Sequence, residues 1–110
     1  MDKIQSIAAF GALSQETRLD VVRLLIQAGA DGMAAGEIGE ALGVKQNTMS
    51  ANLSVLAHSG LVKSVREGRS IRYFANFDGI KGLLTFLMRD CCGGRTELCQ
   101  SIFDEIACAC

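Results

Sequence analysis

The first ninety residues of this chain contain no cysteine, and the whole of it contains no proline, no tryptophan and a single histidine, His58. Each absence excludes something. A chain whose thiols are confined to its last twenty residues, and odd in number at five, is not a secreted disulfide framework. The missing proline and tryptophan, set beside twelve glycines and 49% apolar residues, describe a globular, helix-rich chain rather than a disordered one. Long apolar runs are missing too. The longest nearly unbroken one, residues 83–88, is far short of the roughly 20 residues that a bilayer-spanning helix needs. The start, Met1-Asp2-Lys3, lacks the basic and apolar regions of a secretory signal, so a cytoplasmic location with reduced thiols and no membrane partner is expected. With 110 residues there is one domain, and a domain of this size buries only about two-thirds of its unfolded surface, so oligomerisation would help it.

What is present is concentrated. Cys91, Cys92 and Cys99 stand together, with Cys108 and Cys110 following. Free cysteine packs as a small hydrophobe, yet the core-forming part of the chain does not use it, so the tail, residues 91–110, reads as a site.

Along the chain, Ile4, Ile7, Ala8, Phe10 and Gly11 have loose helical spacing that ends near Leu13. Ser14 reads as the N-cap of a second helix with Glu16 in its first turn and a stripe of Leu19, Val22, Leu25 and Ile26, closing at Gly29. Residues 29–36 are a glycine-rich connector. Residues 37–42 form a short helix stopped by Gly43, and another helix starts near Gln46, carries Met49, Leu53 and Leu56 on one face and ends at Gly60. Two short helices joined by a tight turn predict a helix-turn-helix. Residues 61–66 and 69–75 are strand-like runs joined by Glu67-Gly68, a two-residue hairpin loop. Asp78 caps a further helix with the stripe Ile80, Leu83, Leu84 and Leu87, which Gly93-Gly94 breaks. A last helix starts near Thr96, with Leu98, Ile102 and Ile106 on one face. The class is mainly α with a β-hairpin (α+β).

The net charge is only −1, but it is unevenly spread. Residues 44–73 hold five cations, Lys45, Lys63, Arg66, Arg69 and Arg72, against Glu67, a balance of +4; the remainder holds six cations against eleven carboxylates, −5. A basic hairpin after a polar-faced helix is what phosphate neutralisation requires, and each contact releases counterions. The helix from Gln46 presents Gln46, Asn47, Thr48, Ser50, Asn52 and Ser54, short donors and acceptors suited to base edges and phosphates of double-stranded DNA. A polar face opposite an apolar stripe is also simply a solvated one. The tight turn and the arginine-bearing hairpin favour DNA.

The strings Leu13-Ser14-Gln15-Glu16-Thr17-Arg18-Leu19, Ala41-Leu42-Gly43-Val44, Gln46-Asn47-Thr48-Met49-Ser50, Leu53, Leu56, Gly60-Leu61-Val62 and Glu67-Gly68-Arg69 occur in an order similar to that of the ArsR/SmtB family of metal-sensing winged-helix repressors. The resemblance covers roughly residues 4 to 90. It implies a winged helix-turn-helix, a homodimer that binds operator DNA with no cofactor and lets go when a metal or metalloid binds, and no enzymatic activity. The implied DNA-binding set is Lys45, Gln46, Asn47, Thr48, Ser50, Ala51, Asn52 and Ser54 on the major-groove helix, with Lys63, Arg66, Arg69 and Arg72 on the wing. Many relatives carry histidines near positions 51 and 52, where Ala51 and Asn52 stand. The best-known arsenic sensors place cysteines in the first helix of the motif, where this chain has Ala34, Gly36 and Gly39, and zinc sensing through the last helices needs more histidines than one.

His58, near the end of the major-groove helix, is read as a C-terminal residue favoured by the helix dipole rather than as a ligand. An inducer site is therefore made of sulfur, which selects thiophilic ions. Cys91 and Cys92 point roughly 100° apart at a helix end. The Gly93-Gly94 turn lets Cys99 fold back over them, in the first turn of a helix capped by Thr96, where the dipole favours thiolate. Three thiolates suit trivalent arsenic or antimony, whereas zinc wants four ligands. The resemblance agrees, since some arsenic-sensing relatives carry a cysteine pair and a third cysteine in this region. Cys108 and Cys110 are auxiliary candidates. Alternatives on the same scaffold are a redox or persulfide switch joining Cys91 or Cys92 to Cys99, and a zinc, cadmium or lead sensor. A cysteine-based enzyme is disfavoured, because no histidine stands near the thiols and no oxyanion loop is visible.

Overall fold

The computed structural model describes residues 1–89 and 96–109, with six α-helices and a small sheet. Helix α1 (Lys3–Leu13) is opened by a capping box: the Gln5 N–H donates to Asp2 Oδ1 at 2.8 Å and the Asp2 N–H donates to Gln5 Oε1 at 2.9 Å. Ser14 does not cap the next helix as predicted. Its hydroxyl donates back to the Gly11 carbonyl at 2.9 Å and closes α1, which leaves the N-cap of α2 (Glu16–Ala28) to Gln15, whose Oε1 accepts from the Arg18 N–H at 2.8 Å.

The glycine-rich connector is more ordered than its composition suggests. After a 3-10 turn at Gly29–Asp31, strand β1 (Met33–Ala34) pairs antiparallel with β3, Met33 opposite Tyr73 and Ala34 opposite Arg72. Gly32 permits this pairing: its φ is +61°, and a Cβ there would stand 2.5 Å from the Tyr73 carbonyl oxygen. Helix α3 (Ala35–Leu42) starts two residues earlier than expected, with Glu37 accepting from the Ala34 N–H at 2.9 Å. After Gly43, left-handed at φ +67°, α4 (Gln46–His58) follows.

Strands β2 (Val62–Glu67) and β3 (Ser70–Ala75) form the hairpin, and the sheet order is β1-β3-β2. Glu67 pairs with Ser70, so the turn is Gly68-Arg69, one residue later than read from the sequence, with Gly68 at φ +62° in its first position as a tight hairpin turn requires. Helix α5 (Phe77–Met88) is capped by Asn76 rather than Asp78, Asn76 Oδ1 accepting from the Gly79 N–H at 3.3 Å. Helix α6 (Thr96–Ala109) begins at Thr96 itself.

The core gathers Val21, Val22 and Leu25 of α2, Ile38 of α3, and Met49, Leu53 and Leu56 of α4 with Leu61, just before β2, and Val62 and Ala75 of the sheet. Helix α1 buries small residues, Ser6, Ala9 and Ala12, and so lies close to its neighbours. The larger apolar residues of its stripe, Ile4, Ile7 and Phe10, face outward, as do Leu84 and Leu87 of α5 and Leu98, Ile102, Phe103 and Ile106 of α6. The helical periodicity of these segments is therefore real, but much of it does not serve the core of one chain. Among the described residues no helix is long and apolar enough to cross a membrane.

Leu25, fully buried, and Ile26, 41% exposed, separate core from surface on α2. Leu25→Ala is expected to lose about 2–5 kcal/mol of unfolding free energy and Ile26→Ala less than about 1 kcal/mol, read from urea melts at one protein concentration.

Candidate nucleic-acid interface

The α3–turn–α4 unit is held closed by its backbone. The Val44 N–H donates to the Gly39 carbonyl at 2.9 Å, and Gly39 must be small because a Cβ there would meet the Val44 carbonyl oxygen at 2.9 Å. With Met49, Leu53 and Leu56 buried, the rotation of α4 is set, and Gln46, Asn47, Thr48, Ser50, Ala51 and Ser54 are all exposed on its outer side. Lys45 occupies the N-cap of α4 without a side-chain cap bond, and of the first-turn donors the Thr48 N–H donates to Asn47 Oδ1 at 2.9 Å. Open N–H groups and a positive helix end beside Lys45 suit a phosphate.

Asn52 is placed differently from its predicted neighbours. It is 8% exposed, and its Oδ1 accepts from Arg18 Nη1 at 3.2 Å. It stands three positions after Met49 and four before Leu56, so helical geometry turns it toward the core side and away from the exposed polar face. The prediction that Asn52 lies on the exposed face is corrected accordingly. Arg18 carried no predicted role. The sign of one was a cation in the first turn of α2, against the preference of the helix dipole.

On the hairpin, Lys63, Arg66 and Arg69 are exposed, and among the described residues none is in an ion pair. Lys63 and Arg66 are three apart in a strand and so point to opposite faces, with Arg69 in the turn between the strands. Arg72 is different. It is half-buried, with Nη1 3.5 Å from Glu37 Oε1 and Nε 3.4 Å from Glu67 Oε1. It ties α3 to the two strands as an ion-paired member of the wing, with two carboxylates beside its guanidinium.

His58 ends α4 exposed, with Nδ1 2.9 Å from the Ser54 carbonyl, a local contact consistent with a helix-end residue. Cys99 is 5% exposed on α6 and is in a disulfide. Cys91, Cys92, Cys110 and the Gly93-Gly94 turn lie outside the described residues, as does the side chain of Cys108. Of the predicted set, Cys99 is the cysteine whose side chain lies among the described residues.

Comparison with known proteins agrees with this geometry. A helix-turn-helix domain family model matches residues 13–65. An ArsR-like transcriptional regulator from Rhodococcus sp. RHA1 superposes with a TM-score of 0.70 at 29% identity, covering 94% of this chain and 93% of that one. The crystal structure of a possible transcriptional regulatory protein (fragment 1–100) from Mycobacterium bovis is 31% identical, covering 76% of this chain and 88% of the fragment, with a TM-score of 0.62. The chain belongs to the ArsR-like family of winged helix-turn-helix transcriptional regulators. HlyU from Vibrio cholerae matches at 25% identity over 81% of this chain and 96% of its own, with a TM-score of 0.63. The solution structure of the Mycobacterium bovis fragment is described as a homodimeric winged helix-turn-helix DNA-binding domain. Membership of this family makes the chain a transcriptional regulator and not an enzyme.

The two arginines separate in a salt titration. Arg69→Ala is expected to weaken DNA binding to a similar degree across sequences and to lower the slope of log K against log salt by about 1. Arg72→Ala, which removes a charge already paired with Glu37 and Glu67, leaves that slope unchanged and lowers the melting temperature instead; fluorescence anisotropy and thermal melts read both.

Proposed function

We propose that the protein is a homodimeric repressor that binds operator DNA through α4 and the β2–β3 wing and is released when trivalent arsenic or antimony binds Cys91, Cys92 and Cys99, with Cys108 and Cys110 as auxiliary donors. The observation that carries the DNA half is the exposed polar face on α4 beside the exposed cations Lys63, Arg66 and Arg69, which are in no ion pair among the described residues. The dimer is supported by the exposed apolar residues of α1, α5 and α6 and by the homodimeric Mycobacterium bovis relative. In such a dimer the two α4 helices address successive half-sites.

The inducer half rests on sulfur. Every thiol of the chain falls within residues 91–110, and three thiolates match the pyramidal preference of trivalent arsenic and antimony. Closing Cys99 on Cys91 and Cys92 would shift the junction of α5 and α6 and, through α5, the spacing of the two reading heads. Moving the protein from mostly bound to mostly free takes about 5.5 kcal/mol of preference for the DNA-free state, which tight thiolate coordination supplies. Cys99 in a disulfide favours a second reading, a redox switch on the same scaffold, in which oxidation rather than a metalloid moves that junction. HlyU is described as a transcriptional activator, so the sign of regulation is a separate question; release from an operator acts most directly as relief of repression.

The deciding experiment is anisotropy of the reduced protein on DNA from the region upstream of its own gene, titrated with arsenite, antimonite, zinc, cadmium and diamide. Release by arsenite and antimonite with zinc ineffective supports the metalloid reading, release by diamide alone moves the function to redox sensing, and no DNA binding sinks both. Cys99→Ser is expected to keep DNA affinity and lose the arsenite response by at least about tenfold, since one of three ligands is gone. Leu87→Glu, on the uncovered face of α5, is expected to shift sedimentation from dimer toward monomer.

A further inference from the structure

Arg18 sits at the third position of α2, where the positive end of the helix dipole disfavours a cation. Its side chain leaves that environment in two directions. Nε donates to the Ala12 carbonyl at 2.8 Å, one of the carbonyls that the end of α1 leaves without a helical partner, and Nη1 donates to Asn52 Oδ1 at 3.2 Å on α4. One planar guanidinium thus bonds two helices from a third, and its acceptor on α4 is a side chain only 8% exposed.

We propose that Arg18 and Asn52 are positioning residues that fix the orientation of α4 on the α1–α2 corner and so set operator discrimination without touching DNA. The proposal rests on the DNA-binding reading of α4. The apolar contacts of Met49, Leu53 and Leu56 hold the helix down, but they are non-directional and tolerate small rotations and slides. A hydrogen bond to a rigid fork is directional and selects one of those settings. Base-edge contacts need donor and acceptor within a few tenths of an ångström of about 2.9 Å, so a small rotation of α4 spoils reading by Gln46, Asn47 and Ser50, whereas phosphate attraction to Lys63, Arg66 and Arg69 tolerates it. The Ala12 bond adds a consequence. Helix α1 carries the uncovered Ile4, Ile7 and Phe10 on its outer side, so the clamp ties the reading helix to the face that a second copy would cover.

The test compares binding to a duplex selected by the wild-type protein from a random library with binding to a scrambled duplex of the same length, at several salt concentrations. For Asn52→Ala the scrambled duplex is expected to bind within about twofold of wild type with an unchanged salt slope, while discrimination falls by about tenfold or more, on the scale of a mismatched base pair. Asn52→Asp is the decisive variant. It retains an oxygen for Arg18 but loses the amide donors that an adenine edge would need, so it is expected to keep discrimination within about threefold of wild type, the ratio cancelling any uniform repulsion from phosphate. Arg18→Ala combined with Asn52→Ala should discriminate no worse than the poorer single variant.

Loss of discrimination in Asn52→Asp equal to that in Asn52→Ala would overturn the proposal in favour of a base reader. A smaller salt slope for Asn52→Ala would overturn it in favour of a phosphate contact, and unchanged discrimination would leave the pair without this role. Because Arg18→Ala also removes the Ala12 bond, the two Asn52 variants decide the question even where Arg18→Ala does not fold. A wild-type protein that selects no duplex at all would refute the DNA-binding reading itself, and the proposal with it.

Discussion

The burial of one face of α4 is the constraint from which the rest follows. Met49, Leu53 and Leu56 are fully removed from solvent against Val21, Leu25 and Ile38, and a helix has only one rotation that achieves this. That rotation puts six of the seven short residues predicted for DNA on the outside and one, Asn52, inside. The same packing brings Arg18 within reach of Asn52, so a polar contact between elements far apart in sequence appears at the edge of an apolar one. Remove the apolar contact and neither the exposed face nor the clamp has a defined position.

Electrostatics act on this frame locally. A net charge of −1 hides a basic segment, and within that segment the tertiary structure divides the charges again. Arg72 is held by Glu37 from the first helix of the motif and by Glu67 from the neighbouring strand, which fixes the hairpin to the helix-turn-helix. Lys63, Arg66 and Arg69 stay outside such pairs among the described residues and keep their field for solvent and for a polyanion. Residues of one charge are thus divided into ion-paired and solvent-facing ones, according to which has a carboxylate within reach.

The uncovered apolar residues join the two functional ends. Ile4, Ile7 and Phe10 lie on α1, whose final turn receives Arg18, and Leu84 and Leu87 lie on α5, which leads toward the cysteine segment. Between them, the Asn76 amide donates to the Gly60 carbonyl at 2.9 Å, and Gly79 approaches that same carbonyl so closely that no Cβ fits. The start of α5 is therefore locked to the end of α4.

Much of this was legible from residue order. Helical period along α2, α4 and α5, glycine stops at Gly29 and Gly43, and a hairpin after Gly60 follow from local rules of apolar spacing and backbone freedom, and the positions of the helix-turn-helix and wing follow from them. The cysteine cluster and the basic segment are likewise properties of order alone. What tertiary structure decided depends on partners distant in sequence. Strand β1 is two residues long and exists because β3 offers it an edge. Ser14 lost the cap to Gln15 because its hydroxyl closes the preceding helix. Asn52 and Arg72 take partners that residue order alone does not name, because the fold brings Arg18, 34 positions from Asn52, and Glu37, on another helix from Arg72, within reach. Sequence determines what each side chain is able to bond; only the packed fold determines which bonds lie within reach, because hydrogen bonds and ion pairs act over a few ångströms while the chain that joins their partners runs for tens of residues.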